Sequence, residues 1–303
     1  MRSCADIVEP GMTGSRCRAR LHWGVLWIVS VTAGFGVIAD GLLSAQDMVW
    51  DRLADGLAVT VWEPGPRCGD EVPLLYLVQV DPERFRFSTY HFRDEGLPDP
   101  LTIQDWQRRT RARVLFNAGL FQDDYSYLGL LLKGGRSLGT KRHPRWHGLF
   151  VAEPVAPGVR KARVLDLAVD SFADDNPPYR EAAQSLMLLD RTGKPRVRQT
   201  GKRAHQTVVG EDRKGNILLI KTADVVALWD LAECLRKGVP AIHQAMAMDG
   251  GPSSDLLIEA DGLVNRESTG DQLPWHALVD GSGMRHIPLP SVIGVMPRDG
   301  APQ

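Results

Sequence analysis

The chain lacks a charge excess of either sign. Its 36 Lys and Arg nearly cancel its 37 Asp and Glu, leaving a net charge of -1. No basic face and no RNP-like, helix-turn-helix or zinc-finger pattern accompanies that balance, so the electrostatic footprint of a nucleic-acid-binding protein is missing. Cysteine is scarce, at four in 303 residues, and no CxxC spacing occurs, which removes the usual thiolate metal site. There is no G-x-S-x-G elbow and no Ser–His–Asp order, which argues against a serine hydrolase. Gly134 to Lys141 reads G-G-R-S-L-G-T-K, but Thr and Lys stand in the wrong order for a phosphate-binding P-loop. His143 and His147 flank Pro144, and with Gly148 following they read as a loop rather than a helical metal pair. Trp106 and Trp275 suit a buried core better than a sugar platform.

What is present begins with a leader. Arg16, Arg18 and Arg20 precede an uncharged stretch from His22 to Ala39, and Leu43-Ser44-Ala45 supplies small residues after it. A basic segment, an apolar segment and a small-residue site describe a secretory signal. The stretch is also near the lower limit for a spanning helix. Residues 1–45 are therefore read as a signal peptide or membrane anchor, and 46–303 as one domain. That places the body outside the cytoplasm, periplasmic or extracellular, with membrane contact only through an uncleaved leader. Cys4 and Cys17 fall in the leader. Cys68 and Cys234 remain, to pair in an oxidising compartment or to leave Cys234 as a small buried helix residue.

The body carries no linker, repeat or low-complexity run. Strand-like segments recur at 57–62, 74–80, 85–90, 114–116, 128–132, 148–151, 162–167 and 182–189. Thr207 to Gly210 and Asn216 to Ile220 form a hairpin pattern around Arg213-Lys214-Gly215, and Ser291 to Val295 reads as a buried strand. Ile103 to Arg109 suits a short helix. Leu228, Leu231, Ala232 and Leu235 recur at helical spacing, with Arg236 and Lys237 in the last turn and Gly238 as a stop. Many short strands with few helices predict an α+β domain with a mixed, mostly antiparallel sheet and flanking helices.

After the second helix, Ala245 to Ser254 reads A-M-A-M-D-G-G-P-S-S. A short apolar strand there delivers Asp249 at its carboxyl end, where sheets tend to bind ligands. Gly250 and Gly251 permit backbone angles and close approaches barred to other residues. Ser253 and Ser254 add hydroxyls. The plainer alternative is a hairpin turn, since Asp-Gly between strands is a common turn signal.

Four segments occur in order: Asn117-Ala118-Gly119-Leu120-Phe121, Gln184-Ser185, Thr207-Val208-Val209-Gly210-Glu211-Asp212, and Asp249-Gly250-Gly251-Pro252-Ser253-Ser254. In that order they resemble the phosphodiester glycosidase family, over roughly residues 57 to 297. The resemblance implies a hydrolase that cleaves a glycosidic bond in a sugar phosphodiester or envelope glycan, with a carbohydrate or sugar-phosphate substrate and neither cofactor nor metal. Asp249 would be the principal carboxylate, as base or nucleophile. Asn117 would orient the sugar or leaving group, and Glu211 and Asp212 are the candidate second acids. Gly119, Gln184, Thr207, Gly250, Gly251, Ser253 and Ser254 would contact substrate. Where the family carries an arginine before that threonine, this chain has Gln206, so Arg203 and His205 are candidates to supply the missing donor. The rival expectation is a non-catalytic carbohydrate-binding protein on the same fold.

Overall fold

The computed structural model describes residues 48–259, 275–280 and 286–298. The leader read at 1–45 lies outside the described residues. No described helix is long and apolar enough to cross a membrane.

Apolar residues at a spacing of two, or in short unbroken runs, make strands the dominant regular structure of the described chain. β1 (Asp51–Ala54), β2 (Leu57–Trp62), β3 (Leu75–Val80) and β4 (Phe85–His91) open the body and are followed by α1 (Ile103–Thr110). Next come β5 (Val114–Asn117), β6 (Leu131–Lys133), β7 (Arg136–Ser137), β8 (Gly148–Pro154) and β9 (Ala162–Asp166). β10 (Tyr179–Leu189) leads to β11 (Arg203–Ala204), β12 (Thr207–Asp212), β13 (Ile217–Thr222) and β14 (Val226–Ala227). α2 (Leu228–Gly238), β15 (Ile242–Ala247), β16 (Leu256–Ile258), α3 (Ala277–Asp280) and β17 (Ser291–Pro297) complete the order.

The expected single sheet is two principal sheets, and every described pairing is antiparallel. The larger runs β1-β2-β3-β13-β12-β15-β10-β6-β7, with β8 and β9 attached through β10. The smaller runs β16-β5-β17-β4, and β11 pairs β14 separately. Side-chain alternation shows how they stack. In β13, Ile217 and Leu219 join a core that also holds Phe116, Ile293 and Val295 of the smaller sheet. Leu218 and Ile220 of the same strand face Leu231 and Leu235 of α2. On the far face of the smaller sheet, Leu115 and Val292 pack against Ile103 and Trp106 of α1. The layers are therefore helix, large sheet, small sheet, helix. A strand covered on both faces has no polar side, which is why β13 is buried throughout.

Four local expectations resolve here. Cys68 and Cys234 form a disulfide across 166 residues of sequence, joining the segment after β2 to α2. Gly238 is the last helical residue rather than a cap beyond it; a Cβ there would run into the Trp62 ring, so its glycine serves packing. Trp106 and Trp275 are buried, with ring N–H groups donating to Leu289 O at 2.9 Å and Asp51 Oδ2 at 2.6 Å, so neither is a sugar platform. Gly134 to Lys141, the P-loop lookalike, begins at the turn between β6 and β7.

Candidate active site

Asp249 sits where the chain leaves one sheet for the other. The Met248 N–H still donates to Thr207 O on β12, at 2.9 Å. One residue later the Asp249 N–H donates instead to Ala118 O, just after β5, at 3.2 Å. Because β15 belongs to the large sheet and β16 to the small one, Asp249 to Ser254 is a crossover and not a hairpin turn.

The two glycines are required for different reasons. Gly250 is extended, at φ −108° and ψ −170°, a conformation open to any residue. Space is its constraint: a Cβ would lie 2.9 Å from Gln206 Oε1 and 3.0 Å from His205 O. Gly251 has open space around it but a φ of 68°, the left-handed region that glycine adopts without strain. Its N–H donates to His205 O at 2.8 Å, which ties the loop to the approach to β12.

This backbone half-buries the Asp249 carboxylate. Desolvation pushes its pKa up to about 6, against the opposing pull of hydrogen bonds from the Ser253 hydroxyl and the Gly250 N–H. Tyr127 stands close enough that the same charge, added to complete burial, raises the phenol. The Tyr127 hydroxyl donates to Gln184 O at 2.7 Å and accepts from the Gly119 N–H at 3.0 Å. A Cβ on Gly119 would collide with that hydroxyl and sit 2.7 Å from Gln184 O. Gly119 is thus a packing residue behind the carboxylate.

Asn117 is 1% exposed and faces the protein. Its Nδ2 donates to Asp249 O at 2.8 Å and Ala118 O at 3.0 Å, while its Oδ1 accepts from the Asp255 N–H at 2.9 Å. Its hydrogen bonds all go to backbone, so it positions Asp249 rather than touching a sugar. Gln184 is likewise spent. Its Oε1 accepts from Leu130 N (3.0 Å) and His143 N (2.8 Å), and its Nε2 donates to His143 O (2.9 Å) and Trp146 O (2.6 Å). It pins the irregular loop that carries His143 and Trp146, whose rings stack at 4.0 Å.

Thr207 and Ser254 share a hydrogen bond of 2.9 Å across the crossover. Beneath them lies Lys221 at 3% exposure, donating from Nζ to Ser254 O at 2.6 Å and Ser254 Oγ at 3.3 Å. Burial lowers its pKa to about 8, with Asp255 acting in the opposite direction. Asp255 Oδ2 lies 2.6 Å from His286 Nδ1. Sequence reasoning missed Lys221, Tyr127, Asp255 and His286. Ile-Lys-Thr at a strand end looks like a solvated charge, and only pairing of β13 with β12 carries Lys221 beneath Ser254.

The candidate second acids are not brought to this end of β12. Glu211 is fully buried, paired with Arg160 and accepting from Val164 N at 3.1 Å and Gln244 Nε2 at 3.2 Å. It clamps β9 to β12 and β15. Asp212 organises the β12–β13 turn, accepting from Lys214 N and Asn216 N at 2.8 Å each. Both lie at the opposite end of the strand from Thr207. Arg203 does not replace the family's arginine either, because it is paired with Glu71 and donates to Val225 O at 3.0 Å. His205 contributes its carbonyl to Gly251. Gln206 is buried beside Gly250, with Nε2 directed at Ala204 O (3.2 Å) and Val226 O (3.4 Å).

Chemically, the crossover offers one semi-buried carboxylate of raised pKa, a hydroxyl and an N–H directed at it, and an aromatic backstop. The fold has solved counterparts. The catalytic domain of zebrafish N-acetylglucosamine-1-phosphodiester alpha-N-acetylglucosaminidase matches at TM-score 0.55 and 15% identity, covering 82% of this chain and 86% of that one. A hypothetical protein from Synechocystis matches at TM-score 0.56 and 13% identity, over 84% of this chain and 64% of that one. At such identities the likeness is one of fold. No curated protein matches the chain significantly by sequence. The family model described as Phosphodiester glycosidase matches residues 110–295, and this chain belongs to that family.

Proposed function

We propose that the chain is an exported hydrolase that cleaves the bond between an anomeric carbon and a phosphodiester oxygen, with Asp249 as its principal carboxylate. The observation carrying this reading is the state of Asp249. A desolvated carboxylate with a pKa near 6, gripped by Ser253 and Gly250 at a sheet crossover, is tuned for proton transfer near neutral pH. Ordinary glycoside hydrolysis calls for a second carboxylic acid to protonate the leaving oxygen. Glu211 and Asp212 are held at the far end of β12, and Asp255 is engaged by His286. That favours a phosphate leaving group, which departs as a stable anion without a strong acid, over a plain envelope glycan.

In the general-base form, ionised Asp249 takes a proton from water as the water oxygen bonds to the anomeric carbon. The carbon–oxygen bond to phosphate breaks and its electron pair leaves on the phosphate oxygen; the proton then passes from Asp249 to solvent. In the nucleophile form, Asp249 bonds to that carbon as the carbon–oxygen bond to phosphate breaks and its electron pair leaves on the phosphate oxygen; water then adds to the carbon, its proton going to solvent, and releases the sugar and the free carboxylate. Product configuration separates them, with inversion for the base and retention for the nucleophile. The Cys68–Cys234 disulfide supports export, since such bonds persist in oxidising compartments. The test is turnover of a model sugar-1-phosphodiester by the wild type and Asp249→Asn. Loss of release in a folded variant supports the reading. Saturable binding without product in the wild type would instead identify a carbohydrate-binding protein.

A further inference from the structure

Beside Gln206 opens a groove of about 470 Å³. Among the described residues its lining contains no carboxylate, yet Arg145, His147, Arg196, Arg198 and Lys202 all border it. Arg196 is paired with Asp166 at 2.7 Å. Arg145, Arg198 and Lys202 are exposed and have no side-chain partner among the described residues. In a chain of net charge -1, three unpaired cations on one groove without an acid make a strongly local positive field.

The floor has different chemistry. Leu186, Met187, Val197 and Leu228 lie there with Trp146. An apolar and aromatic floor suits the C–H faces of sugar rings, and cations at the rim suit phosphate oxygens. The groove also has a fixed relation to the crossover. Gln206 lies against Gly250 at its inner end. Gln184 holds the Trp146 carbonyl with its side chain and accepts from Tyr127 with its own carbonyl.

We infer that this groove is a subsite for a sugar-phosphate polymer, taking the phosphodiester repeats that continue beyond the bond at Asp249. The inference rests on the reading of Asp249 as the reacting end. It relocates the charge absent at position 206: instead of one buried arginine on one phosphate, three rim cations contact successive phosphates. Specificity then depends on the number of phosphates presented.

Binding to Asp249→Asn measures this without turnover. The probes are a synthetic oligo(hexose-1-phosphate), a neutral oligosaccharide of equal length, and a compound with one phosphodiester. The oligophosphate should bind most tightly. Replacing Arg145, Arg198 and Lys202 together by alanine should weaken it by about 10- to 100-fold and flatten its salt dependence. The weakening should grow with the number of phosphates in the probe. Arg198→Lys should retain most of the affinity, because it keeps the charge. Equal binding of the neutral oligosaccharide, or an unchanged oligophosphate affinity in the triple variant, overturns the inference. Tighter binding of a single-stranded oligonucleotide with the same number of phosphates also overturns it. Oligophosphate binding by a wild-type chain that shows no turnover would support the groove and sink the hydrolase reading.

Discussion

The Asn117 carboxamide donates to the main-chain carbonyl of Asp249 at 2.8 Å while accepting from the Asp255 N–H at 2.9 Å. One buried side chain therefore grips both the start and the end of the crossover, from a strand in the smaller sheet. Asn117→Ala strands those backbone groups in the interior. Urea unfolding should show a loss of about 2–3 kcal/mol. Turnover should fall with kcat rather than KM, because the carboxylate is misplaced and no substrate contact is removed. A change confined to KM would return Asn117 to the substrate surface.

Asp249 sets the pH dependence. Whether base or nucleophile, it acts ionised, so kcat/KM should rise as pH increases through about 6 and level above it. Stability runs the other way. The folded carboxyl holds its proton to a higher pH than the unfolded one, so a cost absent below about pH 4 grows until pH passes about 6. Asp249→Asn removes that cost and should stabilise the chain by about 1–2 kcal/mol at pH 7 but not at pH 4. Calorimetry at the two pH values reads the difference directly.

Gly250→Ala and Gly251→Ala should fail differently. Alanine at 250 meets Gln206 Oε1 and the rigid His205 carbonyl, which displaces the loop. Alanine at 251 meets nothing and bears only the left-handed backbone cost, about 1 kcal/mol. Activity should be lost at 250 and largely kept at 251, with a lowered melting temperature. The reverse ranking in paired kinetics and melts would contradict the assigned constraints.

Lys221 is buried with its amine on Ser254. Its folded pKa of about 8 is below the unfolded value near 10.4, so the cost of burying the charge is fully present below pH 8 and disappears toward pH 10. Relative to Lys221→Met, the wild type should therefore gain up to about 2–3 kcal/mol between pH 7 and pH 10. Parallel stability curves across that range would show that the amine is not desolvated.

The disulfide between Cys68 and Cys234 closes a loop of 166 residues. Reduction, or Cys68→Ser with Cys234→Ser, should cost about 2–5 kcal/mol, chiefly by freeing the unfolded chain. Thermal melts with and without a thiol reductant measure it. The double variant should show no further response to the reductant.

Much of the framework was legible locally. β2 begins and ends where the sequence predicts, and Ile103 and Leu228 open the helices expected around them. The A-M-A-M-D-G-G-P-S-S run was also readable as a strand ending in a carboxylate beside permissive backbone. Those features depend on neighbours a few residues apart, where periodicity and glycine chemistry act. The destination of each side chain was not local. Glu211 and Thr207 share a strand, but β9 covers one end and the crossover the other, making one a clamp and the other a neighbour of Ser254. Asn117 and Gln184 have the composition of substrate contacts and were turned inward by carbonyls and N–H groups distant in sequence. Lys221 became a site residue only when β13 paired with β12. By itself the sequence determined which backbone shapes were available and where a carboxylate would stand. Tertiary structure decided which polar groups were already satisfied, because hydrogen bonds and burial depend on partners that only the packed sheets bring together.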